Sequence, residues 1–254
     1  NQSETYLEES ATLFEADLPP FGYATYWIYG KGNGGARIND GAQNGQEASY
    51  ILENPYLRAE FDGKSGAAIS IYDKRSGTEY LSKPSCRPVI IEDNSDTWAH
   101  NLKGFYGKSS VAELVSIKMT ENGIIRKAIE LKYAVNRTVI LHTYYLYRNE
   151  DFLRVAVKIN YNEKNTVLKY FINSALSDTA AYYEIPFGYV RKNCEGQEQP
   201  ALRWACVYGS AGGGQAGIAV CCDSKSSYSV QENTLGFIGV RNSVFANHHA
   251  KPDS

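Results

Sequence analysis

The chain has 254 residues, with 26 Lys and Arg against 28 Asp and Glu, which gives a formal charge of −2. A balance this close to neutral excludes a broad basic surface for general nucleic-acid binding. Hydrophobic content of 43% and charged content of 21% exclude disorder, and no apolar run approaches the ~18 residues of a membrane-spanning helix. The length fits either one large all-β domain or two average domains.

The chain opens at Asn1 without a Met, and residues 1–17 carry neither a basic n-region nor an apolar h-region. A processed chain, or a segment cut from something longer, is therefore expected. A weak helical pattern covers Glu4–Phe14, ahead of Leu18-Pro19-Pro20. Residues 1–30 read as an N-terminal strand segment, and 31–47, rich in Gly and Asn, as a surface loop or linker. Residues 48–254 form the main β domain.

From there the dominant period is two. Tyr56–Phe61 and Ala67–Tyr72 flank the turn signal Asp62-Gly63-Lys64-Ser65-Gly66, and Ile69–Leu81 reads as strand, turn, strand. Ile129, Leu131, Tyr133 and Val135 alternate with polar neighbours. Val139, Leu141, Thr143, Tyr145 and Tyr147 share one face, and Leu153, Val155, Val157 and Ile159 alternate again. Asn136-Arg137 and Asn149-Glu150-Asp151 separate these three strands. Trp204–Tyr208, Gly217–Cys222, Tyr228–Val230 and Leu235–Val240 add further short strands, with Gly212-Gly213-Gly214 between two of them. So many short strands predict an all-β fold, a large antiparallel super-sandwich of two extended sheets.

The five cysteines, Cys86, Cys194, Cys206, Cys221 and Cys222, are odd in number and irregular in spacing. They form no disulfide framework and no C-x-x-C metal or redox pair, and read as buried thiols of a reducing, cytoplasmic protein. His248-His249 are adjacent, so in a strand they would point apart rather than share an ion. The Gly209–Gly217 loop lacks a phosphate-binding pattern and reads as a hairpin turn. The acidic-aromatic cluster Glu92-Asp93-Asn94-Ser95-Asp96-Thr97-Trp98 is more suggestive. Aromatic faces stack on sugar C–H surfaces and carboxylates accept from hydroxyls, although a polar loop closing the sandwich end has the same composition. Arg241, after the apolar strand from Leu235, offers a planar fork to a hydroxyl or carboxylate, or a partner for a neighbouring acid.

Several segments, in order, resemble glycoside hydrolase family 38 α-mannosidases. Leu18-Pro19-Pro20-Phe21-Gly22-Tyr23 resembles the start of the family's C-terminal region. Leu52-Glu53-Asn54-Pro55-Tyr56-Leu57 resembles its Leu-Glu-Asn strand, and Gly66 to Gly77 its Asp-Lys-containing hairpin. Tyr183–Gly188, Pro200–Trp204 and Gly217–Tyr228 match three further landmarks. The resemblance implies a galactose-mutarotase-like super-sandwich with a small preceding β segment. It implies an N-terminal catalytic domain outside this chain as the principal partner, and an α-mannoside or oligosaccharide as substrate of the whole protein. Hydrolysis with retention would use an Asp nucleophile and a zinc ion held by two His and two Asp, all in that domain. No cofactor is then expected in this segment, which alone would be inactive, and neither a nucleic acid nor a membrane is an expected partner. The resemblance also implies that Asp96, Trp98 and Arg241 lend contacts to the substrate-pocket rim. Thr97 and Ala99 flank Trp98, where the bacterial pattern Asp-Ala-Trp-Asp has Ala and a second acid. A free-standing carbohydrate-binding module and a purely structural scaffold are the competing readings.

Overall fold

The structure is a computed structural model and describes residues 13–27 and 49–243. Its strands run β1 (Ser49–Glu53), β2 (Leu57–Asp62), β3 (Ala68–Asp73), β4 (Thr78–Glu79), β5 (Val89–Glu92) and β6 (Ser109–Val111). They continue with β7 (Glu113–Asn122), β8 (Arg126–Val135), β9 (Thr138–Tyr147), β10 (Arg154–Asn160), β11 (Thr166–Asn173) and β12 (Ser177–Ile185). The last six are β13 (Gly188–Lys192), β14 (Gln199–Pro200), β15 (Trp204–Ala211), β16 (Gly214–Cys221), β17 (Ser227–Gln231) and β18 (Thr234–Asn242). None of the described residues is helical, and no helix there is long and apolar enough to cross a membrane.

The all-β expectation holds, and so do the hairpins read from the sequence. Asn136 adopts φ 48° in the two-residue turn between β8 and β9, whose register runs without interruption from Val135↔Thr138 to Arg126↔Tyr147. A residue that tolerates left-handed backbone is what such a turn requires.

The large super-sandwich is a wrong expectation. The strands divide into four separate antiparallel sheets, ordered β1-β2-β3-β4, β10-β9-β8-β7, β14-β17-β18-β11-β5-β6 and β13-β12-β15-β16. They are arranged as a propeller-like ring of four small blades rather than two extended sheets. The reason is physical. Two of the four sheets are meanders in which each strand pairs only with its neighbours in the chain. Period-two alternation reports that a strand has one buried face, not how many strands share its sheet.

Residues 13–27 run without a regular strand, and Asn149 Nδ2 donates to Glu15 Oε1 at 2.6 Å. The helical pattern up to residue 12, the 31–47 loop or linker and the His248-His249 pair lie outside the described residues. All five cysteines are free; Cys221 is exposed and the other four are partly buried. Burial pushes the Cys86 thiol up to about 12.

The core lies where the sheets face one another. Ile129, Leu131 and Tyr133 of β8 and Ile140 of β9 are fully buried, as are Leu52 and Phe61 of the first sheet and Leu168 and Leu235 of the six-stranded one. His142 of β9 is buried in their midst. Its ring lies 5.1 Å from that of Tyr133 and 5.3 Å from that of Tyr170, which belongs to β11. Its Nε2 meets the Tyr170 hydroxyl at 3.2 Å, while Nδ1 has no partner among the described residues. Tyr133 donates its own hydroxyl to the carbonyl of Gly66 at 2.8 Å, joining the β2–β3 turn to the second sheet.

Two predictions follow from this junction. Gly66 adopts φ +70°, and a Cβ there would lie 2.6 Å from the Tyr133 hydroxyl and 2.8 Å from Leu114 Cδ1. Gly66→Ala therefore strains the backbone and overpacks the junction, with an expected loss of about 2 kcal/mol or more in urea unfolding. Burial holds the His142 imidazole down at about 4. The unfolded chain takes up that proton near pH 6.5, before the folded chain can. Stability therefore falls as pH drops from about 6.5 to about 4, by about 3 kcal/mol from this group, and the slope ends below that window. Urea titrations across this range should show His142→Gln losing that share of the acid slope.

Candidate functional site

The acidic-aromatic segment lies in the loop between β5 and β6, on the six-stranded sheet. Here β11 separates β5 from β18, with Val167 opposite both Ile91 and Arg241. The chain leaves β5 at Glu92, so Asp93 emerges one strand away from Arg241. Backbone pairing continues for one more residue, because Asp93 N donates to Asn165 O at 2.8 Å. The long guanidinium side chain reaches back across β11, and its Nε donates to Asp93 Oδ2 at 2.7 Å. Asp93 is buried and Arg241 mostly so, at 1% and 19% side-chain exposure.

Arg241 also gathers the next three residues. Its Nη2 donates to Ser95 Oγ at 2.7 Å and to the Asp96 carbonyl at 2.6 Å, and Nη1 donates to the Thr97 carbonyl at 3.3 Å. Ser95 donates from its hydroxyl to Asp93 Oδ1, and from its backbone N–H to the same oxygen at 3.0 Å. Four of the five N–H groups of the guanidinium thus face inward. The structure brings Arg241 and the Asp96–Trp98 loop together, but through the backbone of Asp96 rather than its carboxylate. That carboxylate turns to His100, with Oδ2 2.9 Å from Nδ1 and Oδ1 accepting from the His100 N–H at 3.3 Å. Trp98 projects from the turn with 69% of its surface exposed. Ala99 and Asn101 hold left-handed φ of 54° and 57° and bend the loop sharply around it.

A second charged pair fixes the far half of the loop. Lys169 interrupts the apolar run of β11, is 3% exposed and pairs with Glu198. Lys169 Nζ also donates to Ser229 Oγ at 3.0 Å, and Ser227 Oγ donates to Glu198 Oε2 at 3.0 Å. Glu198 N donates to the Lys103 carbonyl at 2.8 Å. The ring of Phe105 lies near both cations, 5.6 Å from Lys169 and 5.7 Å from Arg241. Two cations near one π system help to hold the loop.

Sequence reasoning singled out Asp96, Trp98 and Arg241 but missed the parts that organise them: Asp93 as anchor, His100, Phe105, and the Lys169–Glu198 pair. One signal was present. A lone Lys in the strand Thr-Val-Leu-Lys-Tyr-Phe-Ile marks a buried charge that must find a counter-ion. Among the described residues, no group of three or more His, Cys, Asp or Glu could hold a metal ion.

Residues 52–248 match the family model of the C-terminal domain of glycosyl hydrolases family 38. The chain belongs to that family. It is 22% identical over 203 residues to alpha-mannosidase G of Dictyostelium discoideum, covering 71% of this chain but only 18% of that protein. The crystal structures of an alpha-mannosidase and of a family 38 glycosyl hydrolase, both from Enterococcus faecalis, share its fold at a TM-score of 0.64 and 12% identity. They align with 78% of this chain, which spans 26% and 27% of theirs.

Removing Arg241 would leave the Asp93 carboxylate buried and unpaired. Arg241→Ala should therefore destabilise the chain by about 3–5 kcal/mol. Asp93→Asn combined with Arg241→Ala should recover part of that loss in a double-mutant cycle read by chemical denaturation.

Proposed function

We propose that this chain is the C-terminal β region of an α-mannosidase, and that it presents the 93–108 loop at the mouth of a catalytic pocket built by another domain. The family match over residues 52–248 carries this reading. The whole protein then hydrolyses α-mannosides with retention. The nucleophile, the general acid and a zinc ion belong to the catalytic domain.

The geometry supports a division of labour within the loop. Trp98, held outward by the left-handed residues at 99 and 101, offers its face to the C–H surface of a pyranose ring. Asp96, oriented by His100, supplies an acceptor for a sugar hydroxyl. Arg241 positions both by gripping the loop backbone, with one Nη1 hydrogen left over for a direct contact. Its role is mainly positioning, since four of its hydrogen bonds go to Asp93, Ser95, Asp96 and Thr97.

Kinetics and melting of the full-length protein separate this from a scaffold role. Trp98 is exposed, so Trp98→Ala should leave Tm unchanged and lower kcat/KM on an aryl α-mannoside by about tenfold, the worth of one aromatic contact. Arg241→Ala should lower both. An unchanged kcat/KM in Trp98→Ala would place the loop away from the pocket and leave the domain a scaffold.

A further inference from the structure

Three turns converge at a place remote in sequence from the 93–108 loop. The β1–β2 turn at Asn54 and Pro55, the β7–β8 turn at 123–125 and the end of β9 enclose an open cavity of about 350 Å³. Its walls are tied together. Asn54 Nδ2 donates to the carbonyls of Tyr147 and Glu150 at 2.7 and 2.6 Å, while its Oδ1 accepts from the backbone of Tyr56 and Leu57 at 2.9 and 2.7 Å. The Arg148 N–H donates to the Ile125 carbonyl at 2.8 Å, and the Gly123 N–H to that of Arg126 at 2.9 Å. An asparagine with both ends of its amide committed fixes the cavity's shape before any ligand arrives.

The lining is cationic. Arg126, Lys127 and Arg148 border the cavity, against the single carboxylate of Glu53. Two of these four charges have compensation elsewhere. Arg126 is bound by both oxygens of Glu121, at 2.7 and 2.6 Å, and lies over the Tyr145 ring at 4.7 Å. Glu53 pairs with Lys74, whose hydrogen bond lowers its carboxyl below the ordinary range, with Arg58 and Lys127 adding to the effect. Arg148 and Lys127 form no ion pair with any described residue, and Arg148 is exposed. The cavity therefore carries uncompensated positive charge. Asn122 stands on its wall, and its floor includes the buried Leu146 and the partly buried Ile125.

We infer that this cavity is a second ligand site, which takes a sugar-sized molecule bearing one oxyanion, with Arg148 and Lys127 as its principal contacts. A guanidinium fork matches a phosphate or carboxylate, and a volume of this size suits one monosaccharide ring set against Ile124 and Ile125. The rigid walls and the unpaired cations distinguish the cavity from an ordinary turn junction. The site does not depend on the 93–108 loop or on the proposed mannosidase role.

Titration of the 254-residue chain by amide NMR tests this, with glucose 6-phosphate, glucuronate and neutral glucose as probes. Glucose 6-phosphate or glucuronate, or both, should shift the amides of Asn122, Gly123 and Arg148, saturably and more weakly at high salt. Whichever anion responds identifies the source of the oxyanion. Arg148→Glu should weaken that binding at least about tenfold without a change in Tm, because the side chain is exposed and unpaired. Absence of shifts with both acids, equal affinity for glucose, or an unchanged response in Arg148→Glu would each overturn the assignment.

Discussion

A neutral imidazole locked among tyrosines is the constraint on which the assembly depends. His142 extends from the second sheet towards Tyr170 of the third, and the neighbouring Tyr133 reaches the turn of the first. Tyr144, two residues along, packs at a tilt against Phe61 with ring centres 4.6 Å apart. Three sheets that share no strand are thereby joined by aromatic packing and two hydroxyl hydrogen bonds. Such a junction tolerates no charge, since a proton on His142 would sit on a buried ring whose Nδ1 has no hydrogen-bond partner among the described residues. The propeller-like arrangement makes it necessary: small blades have little core of their own, and their faces must be buried against each other.

The six-stranded sheet then serves a different purpose from the meanders. Its strands come from distant parts of the chain, so β5, β11 and β18 bring Asp93, Lys169 and Arg241 into one neighbourhood. Buried ion pairs such as these contribute little net stability, because desolvation offsets most of the attraction. Their value is specificity. Each cation accepts one arrangement of the loop above it, and a slipped register would leave a charge without its partner.

What the sequence made legible were local features. Alternation at Ile129–Val135 and Thr138–Arg148 located β8 and β9 to within a few residues, and Asn136 marked their turn, because side-chain period and turn chemistry are written in consecutive residues. The number of sheets was not legible. Pairing between β11 and β18, about 70 residues apart in the chain, is decided by packing at the junction rather than by any short pattern. The candidate site divides in the same way. Asp96, Trp98 and Arg241 stood out by residue type and by family resemblance. The linking residues did not: Asp93 stood as one acid among several in its cluster, and no pattern singled out Phe105 or Glu198. Each takes its role from a neighbour contributed by a different strand.

The contact of Phe105 with both Lys169 and Arg241 has a kinetic corollary. Lifting the loop would withdraw the ring from both cations and break the Arg241 hydrogen bonds to Asp93, Ser95, Asp96 and Thr97, so its two halves are linked through Phe105. Loops that act as lids are drawn from weakly held segments, where opening requires little work. This one is tied down at Asp93, Ser95, Asp96 and Thr97 by Arg241, and at Lys103 by the backbone of Glu198. On the proposed reading, a sugar reaching Trp98 would meet a loop backbone already held in place. It would surrender little affinity to ordering that backbone, and its rate of capture would be set by encounter and orientation rather than by a wait for the protein to rearrange.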